Sequence, residues 1–224
     1  MFKLARLLKR KPGLAVEAFQ ERLLAGLGPL LAAAPGLRGY VQAHALVQGY
    51  ARGELLFDAV EHLTFGSAAE HAAFRASSAG ARLRVEEEAL LDTARTFELP
   101  LEVHVIKDGA IPPGGVKNIE FVTCRPGMAP GPFRDYWREV HGPLAARIPS
   151  ICRYEQHHTA ADAYEGNQHP AYDGLAITWF RSTAEMKAGA RTPEYAETRG
   201  DESNFLPDGH LPIIITREHV LLGG

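Results

Sequence analysis

Apolar residues recur at spacings of three and four along residues 132–147, which places them on one face of a helix. The residues of this apolar stripe are Phe133, Trp137, Val140, His141 and Leu144. Pro132 suits the first helical turn, because the N–H group that proline lacks would have no helical partner there. We therefore predict a helix from about Pro132 to Arg147, with His141 on its buried face.

Shorter segments around this helix alternate between apolar and polar residues, as strands with one buried face do. The predicted strands are Lys117–Cys124, Ile151–His158, Tyr172–Phe180 and Leu211–Leu221. Ser182 followed by Glu185 indicates a capping box at the start of a second helix. The polar stretch 191–209 is predicted to be irregular. The order of elements is therefore strand, helix, strand, strand, helix, strand.

The same order occurs earlier in the chain, because the sequence is an internal repeat. Residues 2–44 align with residues 116–158 at a constant offset of 114 without a gap, and thirteen residues are identical. They are Lys3, Pro12, Gly13, Ala15, Phe19, Gly28, Pro29, Leu30, Ala32, Pro35, Tyr40, Gln42 and His44. The alignment resumes at an offset of 115, which pairs Asp58 with Asp173 and Ser67 with Ser182. The first-half elements are predicted at Phe2–Lys9, Val16–Ala33, Leu37–Leu46, Leu56–Phe65, Ser67–Leu91 and Leu99–Ile106.

This order is that of the ferredoxin-like βαββαβ unit, so the fold class is α+β with two tandem repeats. We place the first half at residues 1–108, a linker at 109–115 and the second half at 116–224. A sheet with two helices on one face leaves its other face bare, and two such faces can bury each other. The repeat therefore predicts an intramolecular α+β barrel with outer helices and an enclosed cavity between the halves.

Strand alternation suggests which residues line that cavity. Ala5 and Leu7 match Ile119 and Phe121, an apolar set that we expect to face the helices. The opposite face carries Arg6 in one half and Glu120 in the other. These two, with Asn118 near, are expected in a polar-lined cavity, either as an ion pair across the barrel or as an anion-binding cation and a base.

Charge, hydropathy and cysteine content argue against several classes of function. The formal net charge of −3 over 224 residues gives no electrostatic footprint for nucleic acid. No apolar run approaches membrane-spanning length, and the first residues do not read as a signal peptide. Two cysteines, Cys124 and Cys152, are not at metal-ligand spacing, so we expect a cytoplasmic protein. Six lysines against eighteen arginines suggest a GC-rich bacterial genome.

Cofactor motifs are missing from the sequence. There is no dinucleotide fingerprint, phosphate loop or nucleophile elbow. The ten histidines form no standard metal-ligand pattern and no haem signature. We therefore expect no cofactor and no metal.

Histidine and tyrosine are the candidate catalytic groups. His141 is either a buried histidine that fixes the helix end or a general acid or base. Tyr154 and His158 share one strand face and recur as Tyr40 and His44, which favours structure but also suits orienting a carbonyl or phenol. Further candidates to contact a substrate are Arg6, Asn118, Glu61, Trp137 and Tyr164, beside Tyr40 and His44. The loop Thr159–Ala171, which holds Tyr164, is expected to act with residues 191–209 as a lid.

The second half resembles the EthD family of the dimeric α+β barrel superfamily. The residues that carry the resemblance are the turn RPGM, Phe133, Tyr136, Trp137, the run His141-Gly142-Pro143-Leu144, Pro149, Tyr154, His158 and the Asp173-Gly174 pair. The first half has Leu27 where the family histidine would be, so the resemblance implies that only the second half is active. Simpler superfamily members need two chains for one barrel, and a homodimer of this chain is also expected.

The resemblance leaves the reaction open, since similar proteins include decarboxylases, dehydratases, cyclases, monooxygenases and haem enzymes. Our leading hypothesis is a cofactor-independent lyase, dehydratase or cyclase. It would act by His and Tyr acid/base chemistry on a small hydrophobic molecule that is aromatic or bears a carbonyl, with His141, Tyr154, His158 and Glu120 as catalytic residues. The alternatives are a monooxygenase, cofactor-free or haem-dependent, and a non-catalytic binding protein of a catabolic pathway.

Overall fold

The computed structural model describes residues 1–167 and 169–223, and it confirms the tandem βαββαβ order. The strands are β1 (Phe2–Leu8), β2 (Leu37–Ala45), β3 (Ala59–Phe65), β4 (Phe97–Lys107), β5 (Val116–Val122), β6 (Arg153–Thr159), β7 (Gly174–Phe180) and β8 (Ile213–Leu222). The α-helices are α1 (Val16–Arg22), α2 (Gly28–Ala32), α3 (Ala68–Ala76), α4 (Ser78–Leu90), α5 (Pro130–Tyr136), α6 (Gly142–Ala146), α7 (Thr183–Gly189) and α8 (Pro193–Asp201). No helix in these described ranges is long and apolar enough to cross a bilayer.

The chain divides into two compact units, residues 1–101 with 216–224 and residues 102–215. Strands β4 and β8 contribute to both units, so the units differ from the predicted halves at these strands. In the first unit the antiparallel order is β4-β1-β3-β2-β8, and in the second it is β8-β5-β7-β6-β4. The strand order is closed, which confirms the eight-stranded antiparallel barrel of the predicted α+β class.

The first helical segment of each unit contains a π-helical turn. Leu23–Leu27 lies between α1 and α2, and Trp137–His141 lies between α5 and α6, at equivalent positions of the repeat. Each turn is followed by a glycine that packs closely on the sheet. A Cβ atom on Gly142 would lie 3.0 Å from Gln156 Nε2 and 3.1 Å from Ile106 Cγ2, so glycine lets the helix approach at this point.

The sheet face that packs against the helices is the opposite of the one predicted. Arg6 Nη2 donates to Glu87 on α4, so the face of β1 that carries Arg6 meets the helices. Residues of the other parity, such as Leu7 and Phe121, are fully buried on the opposite face. Because both faces are buried, apolar alternation alone could not show which face the helices cover.

Two helical predictions also needed correction. The predicted helix Ser67–Leu91 is broken at Ser77, where the backbone is extended and the side-chain Oγ caps α4 by accepting from Gly80 N. The stretch 191–209 contains α8, although it was predicted to be irregular. The Ser67/Glu70 capping box is present in full, and Ser182 accepts from Glu185 N as predicted.

Candidate functional site

A cavity of about 220 Å³ lies within the second unit, between the sheet and the helices that cover it. Its floor is formed by β5, β6 and β7, and its other walls come from the π-helical turn, α6, α7 and α8. Large apolar side chains form much of the lining: Trp137, Ile148, Ile151, Phe180, Phe205 and Leu206. All lining residues belong to this one unit, so the expected location between the two halves is wrong for this cavity.

His141 lines the cavity and is held by Asp201 at the end of α8. His141 Nδ1 lies 3.0 Å from Asp201 Oδ2, and Tyr136 donates its hydroxyl to Asp201 Oδ1 at 2.6 Å. Burial lowers the pKa of His141, while Asp201 opposes the shift, so the imidazole is neutral near pH 7. Burial alone would raise the pKa of Asp201, but hydrogen bonds from Tyr136, Asn204 and His141 together lower it.

An ionised Asp201 accepts a hydrogen bond and therefore fixes the tautomer of His141. The imidazole donates from Nδ1–H, and Nε2 keeps a lone pair that can accept a proton. Among the side chains that the structure describes, none forms a hydrogen bond with Nε2. His141 is thus arranged as a general base at the cavity wall.

Two carboxyl groups also line the cavity. Burial raises the pKa of Glu120, and its hydrogen bond from Asn118 Nδ2, at 3.1 Å, opposes the shift. Burial raises the pKa of Glu202 to about 7; Arg199, which pairs with it, opposes the shift, and Glu120 adds to it. Glu202 can therefore hold a proton near neutral pH and act as an acid, and the pKa of Glu120 is shifted in the same direction.

Tyr154 brings a phenol to the same cavity. Gln156 Nε2 donates to Tyr154 Oη at 3.0 Å and to Trp137 O at 2.7 Å, which anchors the strand to the π-helical turn. Burial raises the pKa of Tyr154, so the phenol stays protonated. It can donate a hydrogen bond to a bound molecule.

In the first unit, the equivalent place is filled by a buried ion network. Arg6, which corresponds to Glu120, contacts Glu61 at 2.8 Å and Glu87 at 2.6 Å. Glu61 also accepts from Tyr40. Leu27, at the position of His141, is buried in the apolar core of this unit. In the first unit, the residues at these positions therefore stabilise the fold and fill the place that is equivalent to the cavity.

The structure brings some of the predicted site residues together and separates others. Five of them line the cavity: His141, Tyr154, Glu120, Asn118 and Trp137. Arg6, Tyr40, His44 and Glu61 lie in the first unit, away from this cavity. The predicted pairing of Arg6 with Glu120 is wrong, because all three guanidinium nitrogens of Arg6 bond to Glu61, Glu87 and Glu98.

His158 lies behind the cavity wall, where it supports Trp137. Its ring stacks on Trp137 with centroids 4.3 Å apart, and its Nε2 lies 3.0 Å from Gln156 Oε1. Burial lowers the pKa of His158 to about 2, so the ring does not take up a proton near neutral pH. His44 has the same partner in the first unit, Gln42 at 2.9 Å. The recurrence of these residues thus reflects packing.

The predicted lid is corrected in part. Residues of α8 and the segment after it do line the cavity, but no described residue of Thr159–Ala171 does so. Residue 168 of that loop lies outside the described residues. Tyr164 donates to Asp173 at 2.6 Å, as Tyr50 does to Asp58, so Tyr164 anchors the loop.

Sequence reasoning missed the residues that α8 and the turn after it contribute. Tyr195, Arg199 and Glu202 line the cavity and Asp201 holds His141, all in the stretch predicted to be irregular. A signal was available, because the offset of 115 continues into this segment. It pairs the helix caps Ser77 and Thr192, and it pairs Glu87 with Glu202.

The cavity does not fit a haem. Pockets for drug-sized ligands span about 300–1,000 Å³, and a haem is larger than such ligands, whereas this cavity has about 220 Å³. Within residues 1–167 and 169–223, no three His, Cys, Asp or Glu side chains are grouped as metal ligands.

Comparison with known proteins gives structures of similar fold and one family match to part of the chain. A search of curated proteins gave no significant match. An anthrone oxidase-like protein of known structure has a TM-score of 0.64 at 11% identity, with 98% of this chain and 92% of that chain covered. A mutant chlorite dismutase from Candidatus Nitrospira defluvii has a TM-score of 0.50 at 12% identity, with 98% and 92% covered. At such identities the similarity shows the fold alone.

The sequence profile of the EthD domain matches residues 125–208. This segment contains the helix with His141 and Trp137, strand β6 with Tyr154, and α8 with Asp201 and Glu202. Over these residues the second half of the chain is similar to the EthD domain, and the solved structures show the dimeric α+β barrel fold.

Proposed function

We propose that the protein is a cofactor-independent acid/base enzyme. In this proposal, His141 removes a proton from a small, mainly apolar molecule that bears a carbonyl or phenol group. The observation that carries the proposal is the His141–Asp201 pair at the wall of an apolar cavity. A neutral imidazole whose second nitrogen is held by a carboxylate is the arrangement that general-base catalysis needs.

The surroundings of His141 support the same chemistry. The cavity is lined largely by apolar side chains, which lower the local dielectric and strengthen electrostatic interactions beside them. Glu120 and Glu202, with raised pKa values, supply protons for the opposite step. Proton removal next to a carbonyl begins elimination, decarboxylation and cyclisation, so we favour a lyase, dehydratase or cyclase.

The first test measures proton exchange, because the substrate need not be known for it. Purified protein is incubated in D₂O with a panel of small aryl ketones that includes anthrone, and deuterium at the acidic carbon is followed by NMR. His141→Asn should lower the exchange rate by about 100-fold or more, since a positioned general base contributes about that much. His44→Asn, a buried histidine of the first unit, is the matched control and should leave exchange per folded molecule unchanged.

One result would contradict this proposal and show that His141 has a structural role. In that case His141→Asn would keep the exchange rate per folded molecule but lose several kcal/mol of unfolding free energy, as expected for a broken buried network. Saturable binding of the ketones without exchange in the wild type would instead favour a binding protein.

A cofactor-free oxygenase is the second candidate. The similarity to an anthrone oxidase-like protein favours it, and the same base would generate the carbanion that reacts with dioxygen. An oxygen electrode separates the two candidates. Consumption of dioxygen that depends on both the ketone and His141 supports the oxygenase, and exchange without consumption supports the lyase-type enzyme.

A further inference from the structure

The strand register lines up one row of residues in each unit. In the first unit, Glu61 on β3 lies opposite Arg6 on β1 and opposite Gln42 on β2. In the second unit, Ala176 on β7 lies opposite Glu120 and Gln156. The two rows are equivalent, and their central residue is a glutamate in one unit and an alanine in the other.

The Glu61 carboxylate shows what this row binds. It accepts from Tyr40, from Gln42 Nε2 at 3.2 Å and from Arg6 Nη1 at 2.8 Å, and it is fully buried. Gln42 Nε2 also donates to Tyr40 Oη at 2.5 Å and to Leu23 O at 3.2 Å. The phenol, the amide and the backbone carbonyl thus form a fixed frame around an oxygen acceptor.

The second unit keeps this frame but lacks the acceptor. Gln156 Nε2 donates to Tyr154 Oη and to Trp137 O, as Gln42 does to Tyr40 and Leu23. Ala176 has no carboxylate, and it lines the cavity together with Tyr154 and Glu120. In the described part of the chain, no group accepts the hydroxyl hydrogen of Tyr154.

We propose that an oxygen atom of the ligand occupies the place above Ala176 that the Glu61 carboxylate fills in the first unit. There the oxygen accepts a hydrogen bond from Tyr154, and the neighbouring Glu120 carboxyl can donate a second one when it carries a proton. The matching chemistry is a carbonyl, enolate or phenolate oxygen on a small ligand. This assignment names the part of the proposed substrate that binds, so it rests on the proposed function.

The two donors would serve the chemistry as well as the binding. Removing a proton next to a carbonyl puts negative charge on the carbonyl oxygen. Donors that already point at that oxygen stabilise the charge without rearranging. His141 would remove the proton, and Tyr154 with Glu120 would hold the oxygen.

Binding of 4-nitrophenol, followed by its absorbance, tests the oxygen subsite without turnover. Tyr154→Phe should weaken binding about tenfold, the effect of losing roughly 1.4 kcal/mol from one hydrogen bond. Tyr40→Phe is the matched control, because it removes the equivalent phenol in the first unit, and it should change the affinity less than twofold.

A second variant fills the subsite with the first unit's own side chains. The pair Glu120→Arg and Ala176→Glu copies the row of Arg6 and Glu61, and Glu202 is available to the new arginine as Glu87 is to Arg6. We expect this double variant to fold, with a Tm within a few degrees of wild type, and to lose nitrophenol binding.

Two results would overturn the subsite. One is wild-type affinity in Tyr154→Phe; the other is no saturable binding to the wild type at millimolar nitrophenol. His141→Asn distinguishes this failure from failure of the proposed function. It should lose proton exchange but keep nitrophenol binding that depends on Tyr154.

Discussion

The side chain of Glu202 is a carboxyl group that changes its protonation state near physiological pH. Its carboxyl pairs with Arg199 and lines the cavity together with Glu120. Burial raises its pKa to about 7 from 4.5. A carboxyl whose pKa is raised by folding favours the folded state below its unfolded pKa. That contribution is lost as pH rises from about 4.5 through 7.

Glu202→Gln should remove this pH dependence. Between pH 5 and pH 8, the unfolding free energy of the variant should rise relative to wild type by about 1 kcal/mol, after a discount for solvent screening at this partly exposed group. Urea unfolding at several pH values measures the difference. A difference between wild type and Glu202→Gln that stays flat across this pH range would contradict the prediction.

At the scale of elements, α8 determines the site and was the element that pattern reasoning missed. The segment has no apolar stripe, so periodicity gave no helix. The sequence did contain residues typical of a helix start, an N-cap threonine followed by a proline. In the structure Thr192 accepts from Tyr195 N and Pro193 begins the helix. The longer helix with His141 was predicted well, because its apolar stripe from Phe133 to Leu144 spans about three turns. Short polar helices depend on caps and on tertiary packing, which periodicity does not report.

Thr192→Ala and Ser77→Ala form a matched pair of cap deletions. Each removes the cap of an equivalent helix, α8 or α4, and should cost about 1 kcal/mol of unfolding free energy. Only Thr192→Ala should also weaken nitrophenol binding, about twofold or more, because α8 carries Arg199 and Thr198 at the cavity. Denaturation and absorbance titrations give the two numbers. Equal effects of both variants on binding would contradict this prediction.

For the whole molecule, the repeat predicted the fold correctly, since an alignment of two halves with a single one-residue shift implies two copies of one topology. Which sheet face meets the helices could not be predicted in the same way. Leu7 and Phe121 are as deeply buried as the residues facing the helices, so hydrophobicity could not show which sheet face packs against the helices. The cavity lies on the face that does, so its position could not be predicted either. The asymmetry of the halves was visible at Leu27, but the network of Arg6 that fills the first unit was not.

Arg6→Met should destabilise the protein by about 3–5 kcal/mol, because it leaves the buried Glu61 without a cation and leaves Glu87 with Arg75 alone. Glu120→Gln, at the equivalent position, should change stability by about 1 kcal/mol or less. Urea unfolding of both variants compares them. A small loss for Arg6→Met would show that the network is not needed to hold the first unit together. The same network explains why Leu27→His alone is expected to give no activity.

The two π-helical turns, at Leu23–Leu27 and Trp137–His141, have an evolutionary consequence. A π-helical turn holds one residue more than the α-helical turn it replaces, and such turns occur frequently at functional sites. Independent insertion at the same place in both copies would require the same event twice. The turn therefore predates the gene duplication, and the common ancestor already presented the residue before Gly-Pro in this way. At this turn, divergence of the two copies then needed only side-chain replacements, such as Leu27 against His141, on an inherited backbone.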